Sequence, residues 1–346
     1  MSRSTATLAA GAQVLLDDYP ADLCWSPDGR YVVVAGGEGH LQRVSADDAS
    51  VLALGSHEPG LLAVSWQPGG KVLATSGQDG SVRLWDALAT EAAEGRVVHR
   101  GMAWPLGLSF DPRGKRLAFA VGRNVHLLDV DGTPVGTLGP HAVQLSQLAW
   151  RSADELLVAG NGALFTDRIS PELRSTQHLL DGGPLVLVIS ADGRIAATGQ
   201  QDGQVNFRFL ATQKRSRMSG YDGKVTQATW SANSRWLATA ATGSGEIVVW
   251  DFSGKGPEGT EPLQLKAHQE RVESLAFAPV GPWLASGGRD WRLGLWRPGP
   301  AQRGADEPVD MHLLDGPVGL LRWSRDGRRL AVAQADGRLR FYSLQD

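Results

Sequence analysis

One cysteine, Cys24, stands in 346 residues, so no intramolecular disulfide can form and the fold does not rest on a covalent staple. It lies beside Trp25 in an apolar stretch, where a buried thiol in a reducing compartment is the ordinary reading. No run approaches the roughly 18 apolar residues of a spanning helix. The amino terminus also lacks the apolar core of a signal peptide before acidic residues arrive at Asp17. These absences point to a cytoplasmic protein with no membrane association. Charge of one sign is lacking too: 34 Lys and Arg against 37 Asp and Glu give a net −3, so no basic field draws the chain to nucleic acid. Tyrosine is scarce, with 4 residues, whereas there are 12 tryptophans and 43 glycines. That imbalance suits many tight turns and one bulky residue recurring per structural unit. The wealth of Ala, Gly and Arg further hints at a GC-rich bacterial genome.

The recurrence is visible in the stretch 65–86, SWQPGGKVLATSGQDGSVRLWD. An apolar strand lies between a Pro-Gly-Gly turn and an Asp-Gly turn, and Asp-Gly between two such runs is a hairpin signal. Eight copies align on Trp25, Trp66, Phe110, Trp150, Ile189, Trp230, Phe277 and Trp323, at spacings of 41, 44, 40, 39, 41, 47 and 46 residues. The two longest spacings contain Gly- and Pro-rich insertions at 254–262 and 298–308, which read as loops. Each copy predicts four short strands, the signature of a propeller blade. A strand at about 8–16 precedes the first anchor, and the chain stops just after the third strand of the last copy. The first strand should therefore complete the last blade and remove open sheet edges.

These residues resemble the WD-repeat β-propeller family along essentially the whole chain. The Trp-Asp dipeptide stands at Trp85-Asp86 and Trp250-Asp251, and the Gly-His dipeptide is approximated at Ser56-His57, Pro140-His141 and Ala267-His268. The resemblance implies an all-β fold, a single domain over residues 1–346 with eight four-stranded blades; seven blades would follow if one divergent copy is not a blade. It also implies a buried hydrogen-bonded set of His, hydroxyl, Asp and Trp in each blade. Two copies match completely: His57, Thr75, Asp79 and Trp85, and His268, Ser286, Asp290 and Trp296. Elsewhere Tyr221, Leu180 and Leu314 stand at the histidine position, and those blades are expected to lean on apolar packing. At the tryptophan position stand Asp167 and Arg208 in the fourth and fifth copies. They could pair between neighbouring blades, although two solvated side chains are the blander reading.

No catalytic residue, cofactor or metal is expected. A His beside an Asp could suggest catalysis, but no nucleophile recurs near them, and no Cys pair or HExxH spacing offers a metal site. The arginine clusters at 214–217 and 322–329 read as solvated faces. The loop before the first strand and the second turn of each blade should line one mouth. There stand Tyr19, Gln78, Trp104, Arg123, Gln201, Arg289 and Trp291, candidate partner contacts because aromatic and Arg side chains are enriched at hot spots. Either tryptophan could instead fold back over a blade edge. The expected function is a monomeric, non-enzymatic scaffold that binds protein or peptide partners through its loops. The alternatives are a hydrolase- or lactonase-like propeller enzyme with a central-channel site, which would need convergent carboxylates or histidines, and nucleic-acid binding through the arginine clusters.

Overall fold

A computed structural model describes residues 6–254, 256–299 and 306–345. Residue 255 of the first insertion and residues 300–305 of the second lie outside the described residues. The described residues form thirty-two strands and no helix. The strands make eight four-stranded antiparallel sheets, the blades of an eight-bladed β-propeller. Blade 1 comprises Pro20–Trp25, Tyr31–Gly36, His40–Ser45 and Val51–Ser56, and blade 2 comprises Leu61–Trp66, Val72–Gly77, Ser81–Asp86 and Arg96–Arg100. Blades 3 to 7 repeat the pattern in chain order. In blade 8, Val318–Trp323, Arg329–Gln334 and Arg338–Gln345 are joined by Thr7–Leu15, which pairs with the last strand from Thr7↔Gln345 to Leu15↔Arg338. The two ends of the chain thus share one sheet, as the strand count implied.

The chain divides into two compact units. One is Leu16–Pro184, and the other is Met1–Leu15 with Leu185–Asp346. In each, the second strand of a blade is covered on both faces, so its residues form an almost continuous buried run, as in Tyr31–Gly36 and Ile195–Gln200. The outer strand is the opposite case: Arg174–Leu179 is open along most of its length. The core of the first unit gathers Val33, Leu41, Leu61, Trp66, Leu73 and Trp85. In the other unit Leu8 of the first strand packs with Val318, Trp323, Leu330 and Tyr342.

The first turn has a recurring local cause. In Ser26-Pro-Asp-Gly the Ser26 hydroxyl donates to Asp28 at 2.6 Å and accepts from the Tyr31 N–H at 2.9 Å, while Gly29 takes φ 70°. Ser190 with Asp192, Ser324 with Asp326 and Ser231 with Asn233 repeat it. Blade 4 departs from the pattern. Its first strand runs past Trp150 to Ser152, which pairs with Glu155 across a two-residue turn.

Candidate functional site

Two kinds of chemistry meet at the second turn in several blades: a buried polar set beneath it and an exposed rim above. In blade 7, His268 Nδ1 is 2.9 Å from Asp290 and Nε2 is 2.7 Å from the Ser286 hydroxyl, which accepts the Trp296 indole N–H at 2.7 Å. In blade 2 the ring is turned the other way. His57 Nε2 lies 2.8 Å from Asp79 and 2.7 Å from Ser81, and Trp85 donates to Thr75 at 2.8 Å. Burial pushes the pKa of both histidines down against the pull of the neighbouring aspartates, and the nearby Arg83 and Arg292 act in the same direction as burial. Every group in these sets is occupied by another, so they fix the blade and offer no free base.

Glycine makes room for the imidazole. A Cβ on Gly77 would stand 2.5 Å from His57 Nε2, and one on Gly288 would stand 2.4 Å from His268 Nδ1. Blade 5 carries Leu180 before its first strand and has Gln200 at the Gly77 position. Gln200 is fully buried and donates to Thr198 at 2.6 Å. Its amide thus reaches the hydroxyl at the strand position of Thr75. Blade 8 pairs Leu314 with a buried Gln334 at the same strand position.

Blade 6 also departs from the apolar expectation. The Tyr221 hydroxyl lies 2.7 Å from Thr239 and accepts from the Trp250 indole at 2.8 Å. Burial raises the phenol to about 12 despite both contacts, so it remains a neutral hydrogen-bonding group.

In blade 4, Val158 stands where Thr75 does in blade 2 and offers no hydroxyl. Asp167, opposite Leu156 at the tryptophan position, takes His141 Nε2 at 2.9 Å, and Nδ1 meets the Arg123 carbonyl at 2.9 Å. Asp167 is fully buried and is therefore not a solvated side chain. Arg208 bonds the Gln213 carbonyl at 3.1 Å, so each residue of the considered pair has a partner of its own.

The rim residues divide between the two units. In Leu16–Pro184, half-exposed Tyr19 lies flat on Gly37, where a Cβ would meet its ring at 2.0 Å. Gln78 is partly covered, and its N–H donates to the Gly60 carbonyl. Trp104 is 54% exposed and neighbouring Met102 completely so. Arg123 is exposed, with Nε donating to the His141 carbonyl at 2.5 Å. In the other unit Gln201 is exposed, Arg289 reaches toward Glu273 at 3.8 Å, and Trp291 is 47% exposed. Trp291 also has φ 66°, where Gly39, Gly80, Gly203 and Gly337 occupy equivalent second turns with positive φ. A bulky side chain in that region is strained. Sequence reading passed over Met102 and Leu313. Leu313 is 75% exposed and lies beside the Trp291 turn, where Leu314 N–H donates to the Trp291 carbonyl. Met102 lies in a loop and Leu313 ends the outer strand of blade 7.

Among the described residues no group of three or more His, Cys, Asp or Glu is placed to hold a metal ion, and no helix is long and apolar enough to cross a membrane.

With this geometry the class is defined: the chain is an eight-bladed β-propeller, similar in part of its length to WD-repeat proteins. The family model described as "WD domain, G-beta repeat" matches residues 49–86, 212–251 and 259–297. Protein FIZZY-RELATED 2 of Arabidopsis thaliana is 25% identical over 86% of this chain and 63% of its own length. WD repeat-containing protein slp1 of Schizosaccharomyces pombe is 26% identical over 82% of this chain and 59% of its own. The chain therefore spans about three fifths of the length of these curated relatives. The crystal structure of the computationally designed Ika8 protein superposes with a TM-score of 0.78 at 15% identity, covering 97% of this chain and all of that one. Similar proteins from Arabidopsis, Medicago truncatula and fission yeast conflict with a bacterial origin. The Ala and Gly that suggested it have structural causes here, namely small residues in doubly buried strands and glycines in turns of positive φ.

Proposed function

We propose that this chain is a non-enzymatic interaction scaffold that binds protein or peptide partners through its loop rim. The observation that carries the reading is Trp291. Its backbone is held in a conformation that the equivalent turns give to glycine, while about half of its surface stays open. Strain retained for an exposed aromatic suits a contact anchor better than a structural role. Tyr19, Gln78, Trp104, Arg123, Gln201 and Arg289 extend the proposed contact set, each at a loop or second turn. The buried histidines support the same reading, because each is engaged within its own blade. Relatives whose names describe a cell cycle switch protein fit a regulatory adaptor, and the cytoplasm is the proposed setting, with the chain monomeric.

Affinity capture from cell lysate tests the reading, comparing the parent with a Trp104→Ala, Trp291→Ala double variant. A specific partner retained by the parent and lost by the folded variant is expected. Identical captures by both would overturn the role of the rim.

A further inference from the structure

We infer that the rim of Leu16–Pro184 docks a short acidic peptide segment bearing an apolar side chain, an inference that rests on the scaffold reading and names its ligand chemistry. Met102, Ala103 and Trp104 are all exposed, in a loop whose Gly101 and Ala103 carbonyls lie against Gly80 of the blade 2 turn. Arg100 precedes this loop, at the end of the outer strand of blade 2, where it is paired opposite Ser81. The pairing of Leu106 with Ala120 brings Trp104, two residues before it, and Arg123, three residues after it, to the same end of blade 3. Between them, the space over Gly122 is open, with nothing within 4 Å of a built Cβ.

Two cations therefore flank an apolar platform. Both arginines are exposed, and among the described residues neither forms an ion pair with a carboxylate; the Arg123 guanidinium spends only Nε on the His141 carbonyl. Other rim arginines are already neutralised, Arg83 by Asp79 at 3.1 Å and Arg289 near Glu273. Complementarity thus asks for carboxylates toward Arg100 and Arg123. Between those carboxylates, an apolar side chain would cover the thioether and indole. A nucleic acid fits less well. Affinity for a polyanion grows with the number of phosphates neutralised, typically about 6–10, whereas this site offers two cations around an apolar centre.

Fluorescence anisotropy with three labelled probes tests the inference: a short peptide alternating aspartate and leucine, the same peptide with lysine for aspartate, and a short oligothymidylate. The parent should bind the aspartate peptide, more weakly as salt is raised, and bind the other two at least tenfold less tightly. Arg100→Glu with Arg123→Glu, and separately Trp104→Ala, should each weaken binding at least tenfold while a cooperative melting transition shows the variant folded. Equal binding by either variant, equal binding of the lysine peptide, or preference for oligothymidylate would overturn the inference. A parent that ignores the aspartate peptide yet still captures a protein through Trp104 and Trp291 would overturn it while leaving the scaffold reading intact.

Discussion

Replacing Asp167 with asparagine should destabilise blade 4 in a way that depends on pH. The Arg123 carbonyl and the Asp167 carboxylate both accept from the His141 ring and neither can donate, so both ring nitrogens carry protons. Both contacts favour the imidazolium. Burial works against that charge, and so does the Arg123 guanidinium. The bond and charge of Asp167, with the Arg123 carbonyl, outweigh them and hold the His141 pKa above its ordinary value. A raised folded-state pKa makes the stabilisation complete below about 6.5, the unfolded value, and loses it as pH rises through the folded value.

Breaking a buried ion pair on one side costs about 3 kcal/mol or more. At about 2.1 cal/mol/K per residue, a chain of 346 residues has an unfolding entropy of about 0.7 kcal/mol/K, so the melting temperature should fall by about 4 °C. Differential scanning calorimetry of parent and Asp167→Asn at about pH 6 and pH 9 reads this directly. The gap should be near its full size at the lower pH and at least halve at the higher one. A gap of equal size at both would refute the imidazolium. The double variant His141→Leu, Asp167→Leu imitates Leu180 and Leu314 of other blades and should recover most of the loss, since no charge is then left buried without a partner.

Trp291→Gly should raise the urea midpoint, with a gain of about 1 kcal/mol from relieved backbone strain, while abolishing partner capture; a loss of stability would mean that the indole holds the turn. Gly77→Ala forces the His57 ring off Asp79 and Ser81 and should cost about 2 kcal/mol in equilibrium unfolding. Gly319→Ala, where a built Cβ meets nothing closer than the Ala333 carbonyl at 3.6 Å, should cost less than Gly77→Ala, so equal losses would count against steric displacement of the ring. Deleting residues 1–18 removes the strand that buries Leu8 beside Leu330 and Tyr342, and should lower the melting temperature of the whole chain; an unchanged melt would contradict the role of that strand.

The blades were legible because their causes are local. A Ser-x-Asp-Gly turn, a short buried strand and an Asp-Gly turn each act within a few residues, and repetition at about forty residues made eight weak signals one strong one. Closure was legible from a strand left over at one end and one missing at the other. The polar sets of blades 4, 5 and 6 were harder to read, because their partners come from positions that spacing alone does not connect. His141 finds Asp167 at a place another blade gives to tryptophan, and Tyr221 joins Thr239 and Trp250 through a phenol in place of an imidazole. One internal signal was available. Where Leu180 and Leu314 replace histidine, the second strand ends in Gln200 and Gln334, where Gly77 and Gly288 end it beside an imidazole.

That exchange constrains where function can reside. The space at the end of the second strand is filled by His57 over Gly77, by Asp18 over Gly36 and by Gln200 itself, three chemistries serving one packing problem. A reactive site repeated around the blades would require one chemistry to recur, whereas a filled interior requires only that each solution close. The rim obeys the opposite rule: among the described residues it leaves Arg100 and Arg123 without carboxylates, Met102 and Trp104 without cover, and Trp291 in a backbone conformation suited to glycine. Unspent charge and uncovered apolar surface thus stand at loops of one unit and retained strain at a turn of the other, and the proposed partner contacts are drawn from these positions.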